Sequence, residues 1–504
     1  MSKPSRRCNR EARKEKRKAE KTLRKQQRAA GLDVPRRVTP PNRKSEFATV
    51  EEEAEARNDA VSEQHRVMQS LLPALLKRLG NIPDPRNPQK TKHKITCLMI
   101  YGILMFVYQM SSRREANRKM TRPMFMQNLK MLFPELESLP HHDTLNRLLS
   151  RIDVDEIEAA HIELIRKLIR KKKFKHYLVD DCYPIAVDGT QKFKRDECWS
   201  EECQQRKVKI GQGTKTQYFV YILEASLAFR NGLVIPLMSE FLDYTEGDQS
   251  ADKQDSEQRA FKRLAKRLKT EFPHLRVMVL LDGLYPNGPI TAICRKNKWQ
   301  FMIVLKDKSL PRVWEEAEGL RKLSPGNVYT MTWGDRRQRF WWVNDIDHYY
   351  GPNERSKQVF HLVVCEESWQ EVDESGQITT KTSRHAWISS EPLHRKNLHE
   401  RCNLGGRHRW AIESEILVEK RHGYSYEHCF SYSWSAMKGY HFLMRLALMV
   451  NVLAMYSVHL VKLRRTEGLT GFVEFLRETI AAPWLHADLV KARQSGPPQL
   501  RLAI

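Results

Sequence analysis

The stretch VMVLLDGLYPNGPITAICRKNKWQFMIVL, residues 277–305, sets the class of fold. Its first five residues are all apolar. The run is too short for a stable helix, so it reads as a strand buried on both faces. Asp282-Gly283 ends that strand with a turn signal. A helix follows near 290–297, and 300–305 reads as a further strand. Alternation of this kind belongs to an α/β sheet. Open α/β sheets place their chemistry at the carboxyl ends of strands, which makes Asp282 a candidate functional residue.

Upstream, the same pattern occurs once more. Residues 183–187 form a short apolar strand that is expected to end at Asp188-Gly189-Thr190. Residues 218–229 and 233–241 flank Arg230-Asn231-Gly232, whose Asn-Gly pair signals an antiparallel hairpin. A helix is expected over 253–269, with Ala260, Phe261, Leu264, Ala265 and Leu268 as its apolar stripe. Downstream, 313–390 reads as β structure, with strands at 328–333, 338–343, 359–365 and 385–388. There Trp333, Trp341 and Trp342 alternate with Arg336, Arg337 and Arg339. Aromatics among cations suit stacking on exposed bases, or they supply the core of a β-rich subdomain.

The stretch GGRHRWAIESEILVEKRHGY, residues 405–424, reads as one charged helix. Arg409, Glu413 and Lys420 are spaced by four and by seven. At about 100° per residue they share one face. A solvated salt-bridge face has the same spacing. The alternative is that this wall meets the two strand-end aspartates.

The chain has 504 residues and a formal charge of +26, from 87 Lys and Arg against 61 Asp and Glu. That excess favours a polyanion, and nucleic acid is the commonest. Residues 1–44 hold 17 Lys and Arg, four acids and almost no apolar face. Residues 1–50 are therefore expected as a disordered basic tail. Residues 51–175 read as a helical, basic DNA-binding domain, and the tail beyond Pro483 as loose. Nine scattered cysteines and a charged N-terminus without an apolar leader point to a reducing cytoplasm. The uncharged runs 95–110 and 446–461 are short of the roughly 20 residues a membrane span needs. They are expected as buried helices, with no membrane partner.

Asp188, Asp282 and Glu413, if brought together, would suit hard divalent cations. Mg²⁺ or Mn²⁺ prefers oxygen ligands. Two such ions roughly 4 Å apart promote in-line displacement at phosphorus. Arg409 could then grip a phosphate oxygen and Lys420 lie beside a second phosphate.

These residues resemble the DDE-type transposases of bacterial insertion sequences, in the group carrying a Tyr-Arg-Glu-Lys signature. Arg409, Glu413 and Lys420 match its last three members, within Arg409-Trp-Ala-Ile-Glu413. Ile185-Ala-Val-Asp188-Gly-Thr190 and Leu280-Leu-Asp282-Gly-Leu-Tyr285 resemble the two aspartate motifs. Lys253-Gln-Asp-Ser-Glu257 resembles the helix start between them. The signature's tyrosine falls on Gly406, with Tyr424 or His408 as substitutes to consider.

The resemblance implies an RNase H-like core, a mixed sheet flanked by helices, over 176–310 and 393–465. It implies a β-rich insertion at 311–392 and leaves 466–504 as a C-terminal helix and tail. Asp188, Asp282 and Glu413 become the catalytic metal ligands, rather than Glu415 or Glu419, which lie about 200° and 120° round the helix from Glu413. Arg409, Lys420, Trp333, Arg336 and Arg337 become DNA contacts. Double-stranded DNA, both element ends and target, is the implied substrate of cleavage and strand transfer. A homodimer on DNA and a place in the bacterial nucleoid are implied with it. A nuclease that hydrolyses without joining, or a DNA-binding relative with impaired catalysis, are the alternatives.

Overall fold

The computed structural model describes residues 6–34, 45, 47–134, 136, 138–211, 213–246, 255–494 and 499–503. In chain order its elements are α1 (Arg6–Ala29), α2 (Val50–Leu79), α3 (Ile95–Val107), α4 (Arg113–Met120), α5 (Pro123–Leu132), α6 (His142–Leu149), α7 (Asp155–Arg170), β1 (Tyr183–Arg195), β2 (Gln204–Ile210), β3 (Gly213–Ala228), β4 (Val234–Phe241) and α8 (Glu257–Glu271). There follow β5 (Val277–Leu281), α9 (Gly288–Lys296), β6 (Gln300–Val304), α10 (Pro311–Leu323), β7 (Val328–Trp333), β8 (Arg336–Tyr350), β9 (Ser356–Val372), β10 (Ile378–Ser389), α11 (Trp410–Arg421), α12 (Trp434–Met455), α13 (Val461–Ala481) and α14 (Ala487–Gln494). The protein is mixed α/β and divides into two compact units. One takes residues 1–39 and 276–407, the other 40–275 and 408–504.

In the first unit the strands run β5-β6-β10-β9-β8-β7. β5 is buried along its whole length and pairs with β6 in parallel. A parallel pair needs a crossover, and α9 supplies it. The Asn287 side chain accepts the Ile290 amide to start α9, with Pro289 in the first turn. The remaining pairs, β6–β10, β10–β9, β9–β8 and β8–β7, are antiparallel. Two expectations fail here. The segment read as β from 313 opens with a helix, α10, which buries Val313 and Ala317, one turn apart, and packs on β8. The segment read as a disordered basic tail contains α1, which packs on β9 through Leu23 and its neighbours.

In the second unit β3 is the central strand. β1 pairs with it on one edge. The other edge is shared, with β2 on its first half and β4 on its second. β2, QQRKVKI, has only Val208 and Ile210 as apolar residues, and its pairing with β3 makes it a strand. β1 runs to Arg195 instead of stopping at 187, so Asp188 sits inside the strand, opposite Glu224. Partner pairing overrides the Asp-Gly turn signal. A register shift between Gln191 and Phe193 marks a bulge at Lys192, which is buried and donates to the Tyr426 carbonyl at 2.9 Å. α3 takes 95–107 of the first uncharged run and α12 takes 446–455 of the second, and the two helices pack on each other in the interior. The second run leaves the helix at Tyr456, and Val458 is exposed, so it is not one buried helix to 461. No described helix is long and apolar enough to cross a membrane. The C-terminal tail expected as loose forms α14, with Val490 and Leu500 buried.

Candidate functional site

The stretch read as one helix over 405–424 is three pieces. A π-helical turn covers His399–Gly405, a 3₁₀ turn covers Gly406–Arg409, and α11 begins at Trp410. α11 packs on β1, β3 and β4. This packing brings Arg409 between two of the three candidate acids. Its Nη2 donates to Glu413 Oε1 at 2.7 Å, and its Nη1 lies 4.0 Å from Asp188 Oδ1. The Arg409 side chain is only 6% exposed, while Asp188 and Glu413 keep 26% and 34%. The guanidinium is therefore buried behind carboxylates that reach solvent. Its Nε and Nη1 protons find no acceptor among the described residues.

The opposite wall of α11 explains its seating. Glu415 and Glu419 are buried, and Arg445 of α12 donates to both through Nη1, at 2.9 and 2.8 Å. Arg445 also donates to Ser226 at 3.1 Å and lies 3.5 Å from Glu224. Glu224 accepts from Tyr426 at 2.7 Å and from Ser239 at 2.6 Å, and His441 is 3.2 Å away. Burial alone would raise the Glu224 carboxyl, but Arg445 and His441 hold it far below the usual range. Burial pushes Glu419 up to about 8 despite Arg445, with Glu415 and Glu224 adding repulsion. Burial lowers Lys192 to about 8. Sequence reasoning set Glu415 and Glu419 off the Glu413 face but could not supply their partners, which come from β3 and α12.

Glu257 is a residue whose place was missed. Its carboxyl lies 2.6 Å from where a side chain at Gly189 would begin, and Oε1 accepts from Tyr221 at 2.7 Å. It thus stands as a further carboxylate beside the Asp188-Gly189 peptide. The helix-start resemblance named Glu257 without a role. Lys253 and Gln254 of that motif lie outside the described residues.

Asp282 belongs to the other unit. There it follows β5 and accepts the Leu284 amide at 2.9 Å on Oδ1. A side chain at Gly283 would begin 2.5 Å from Lys306 Cε, so the lysine stem lies across the Asp-Gly turn. Gly406, in the same unit, has its side-chain space taken by Trp387, whose Nε1 is 2.8 Å from an ideal Cβ position. Tyr424 cannot replace the missing tyrosine, because it is fully buried and its hydroxyl accepts from Asn451 at 2.8 Å. Burial lowers the His408 imidazole.

The remaining predicted contacts have defined surroundings. Lys420 pairs with Glu427 at 3.1 Å. Trp333 and Arg336 face each other across the β7–β8 turn. The Arg407 guanidinium lies 5.1 Å over Trp333, and Arg336 lies 4.0 Å over Trp369 while pairing with the buried Glu367. Arg337 is exposed on β8. Trp341 and Trp342 are core residues, 1% and 7% exposed. That removes both from the aromatic set read as base-stacking: adjacent residues of β8 point to opposite faces, and both faces are covered at this part of the strand.

Chemically, Asp188 and Glu413 are solvent-reaching oxygen donors of the kind that hard divalent cations take. His141, His142 and Asp143 also bring ligand atoms within 4.8 Å of one another. Arg113 already pairs with Asp143 at 3.2 Å, so a metal there would compete with it.

Residues 76–165 match the family model described as DDE_Tnp_1-associated, which points to the DDE transposase family. The match runs from the end of α2 into α7, well short of half the chain, and contains none of the candidate site residues. No curated protein matches the chain.

Proposed function

We propose that the protein is a transposase that binds the ends of a mobile element, cleaves DNA strands there and joins them to target DNA. The observation that carries this is Arg409 gathering Asp188 of β1 and Glu413 of α11, two acids from distant parts of the chain, at the start of α11. The DDE_Tnp_1-associated segment and the +26 charge support it. In this reading β1, β3 and α11 belong to an RNase H-like core, and Asp282 of the β5 end is the third ligand. Asp188, Asp282 and Glu413 would hold Mg²⁺ or Mn²⁺, whose part is to activate the attacking oxygen and stabilise the leaving one.

The chain's own groups do the rest. The N–H groups of Arg409 Nε and Nη1 have no acceptor among the described residues, which suits them to a phosphate oxygen. The burial of Arg409 fixes where they point. Arg445 seats α11 from behind, so Glu413 is aimed by packing rather than by solvent. Lys420, Trp333, Arg336 and Arg337 are proposed DNA contacts, and two copies of the chain are proposed to pair two element ends.

The test is Glu413→Gln, which keeps the size of the side chain and removes its charge. It is expected to bind element-end duplex with wild-type affinity and to lose nicking and strand transfer by at least 100-fold, the order seen on removing one transition-state-stabilising group. Asp282→Asn should do the same. Wild-type nicking by Glu413→Gln would sink the assignment. Nicking by the wild type without any joined product would leave a nuclease.

A further inference from the structure

We infer that the outward face of α1 is a docking surface for the sugar–phosphate backbone of duplex DNA, taken without regard to base sequence. It uses none of the residues of the carboxylate site and does not rest on the transposase reading. α1 holds twelve Lys and Arg against three Glu in 24 residues. What matters is where they point. Leu23 and Gln27 are buried, and Lys16, Ala19, Glu20 and Arg24 are half-buried. These positions recur every three or four residues and form the seam that packs on β9. Val34, past the end of the helix, is buried as well.

On the exposed side of the helix the cations gather together. Arg10, Arg13, Lys14, Arg17, Lys18, Lys21, Lys25 and Arg28 are all exposed. At about 100° per residue these eight side chains fall within an arc of about 140°. Glu11 and Glu15 lie outside that arc, and Glu20 is in the seam. Exposed helix faces that serve only solubility mix the two signs, because like charges three and four residues apart repel. Here the signs are sorted. Because α1 is anchored by its seam, the cationic arc is held facing outward. From Arg10 to Arg28 the arc runs about 27 Å at 1.5 Å per residue. That is the length of about eight base pairs, whose two strands present a phosphate every 1.7 Å or so of axis. A duplex backbone meets the length and the sign of the arc. Aromatic side chains for stacking on single-stranded bases are absent from α1.

The experiment uses the full chain, EDTA and a 30-base-pair duplex of arbitrary sequence, so catalysis and element recognition play no part. Two triple variants divide the arc, R10Q/R13Q/R17Q and K21Q/K25Q/R28Q. Glutamine keeps helix propensity, and circular dichroism with thermal melting shows that each variant folds. Each phosphate contact contributes about 0.9 to the slope of log K against log salt. Each triple variant is therefore expected to lower that slope by about 2–3 and to weaken binding to unrelated duplexes equally. Slopes equal to wild type in both folded variants would overturn the proposal. So would variants that keep DNA binding but lose binding to poly-glutamate, which would make the surface one for acidic protein.

Discussion

At Gly406 the question is space rather than backbone freedom. Its φ is −52°, ordinary for any residue. A Cβ there would stand 2.8 Å from Trp387 Nε1, and the indole is stacked on His385 with centroids 5.7 Å apart. The indole has little room to retreat. Gly406→Ala is expected to cost about 1–3 kcal/mol, the range for overpacking a well-filled site, read as a lower urea midpoint. A smaller ring should relieve it, so Gly406→Ala with Trp387→Phe is expected to recover part of the loss. An alanine variant with the wild-type midpoint would show that the indole moves freely. The glycine was legible only as a departure from a signature. Its partner lies on β10, and nothing in local sequence announces a tryptophan folded against it.

α11 is one short helix with two different walls. Arg409 and Glu413 face the candidate site, and Glu415 and Glu419 face Arg445. Removing one partner of a buried ion pair strands the others, at about 3–5 kcal/mol. Arg445→Met, similar in length and uncharged, leaves Glu224, Glu415 and Glu419 without their shared cation. It is expected to lose stability in that range by chemical denaturation. Adding Glu415→Gln and Glu419→Gln should return much of it. If Arg445→Met unfolds at the wild-type denaturant concentration, the pair does not seat α11. Elements with strong local signals were read closely: β5 and β7 match at both ends, and α3 and α12 were expected from their apolar runs. Elements made by partners were not. β2 alternates only over Val208-Lys209-Ile210, too short a run to announce a strand, and α1 looks like a solvated run until Leu23 finds β9. The acids at 188 and 413 were readable because carboxylates beside glycine or in a charged column are local patterns. Glu224, on β3, was invisible because it looks like any strand residue until the fold buries it.

For the whole molecule, charge is spent unevenly. The chain's net charge of +26 coexists with an interior where Glu224, Glu415 and Glu419 face Arg445, Lys192 and His441. Below about pH 7, three carboxylates against Arg445 and Lys192 leave one proton to be shared. Burial, with Glu415 and Glu224 nearby, pushes Glu419 up to about 8. A carboxyl with a raised folded pKa keeps its proton in the folded chain while the unfolded chain has lost it. Stability from this group is complete below about 4.5 and falls as pH rises toward 8. Other groups act elsewhere. His441, lowered to about 4 by burial, favours the folded state as pH rises from 4 to 6.5. Burial raises Glu158 to about 7 despite Arg267, so its falling contribution ends near there. Lys192, lowered to about 8, adds stability as pH rises through that value, because the folded chain gives up this proton before the unfolded one does. From pH 7 to 8 Glu158 and Lys192 act in opposite senses, so the difference between the wild type and Glu419→Gln reports Glu419. The wild type is expected to lose thermal stability across that interval, and Glu419→Gln, which cannot ionise, to hold a nearly constant melting temperature. Parallel curves for the two proteins from pH 7 to 8 would place the shared proton on another group.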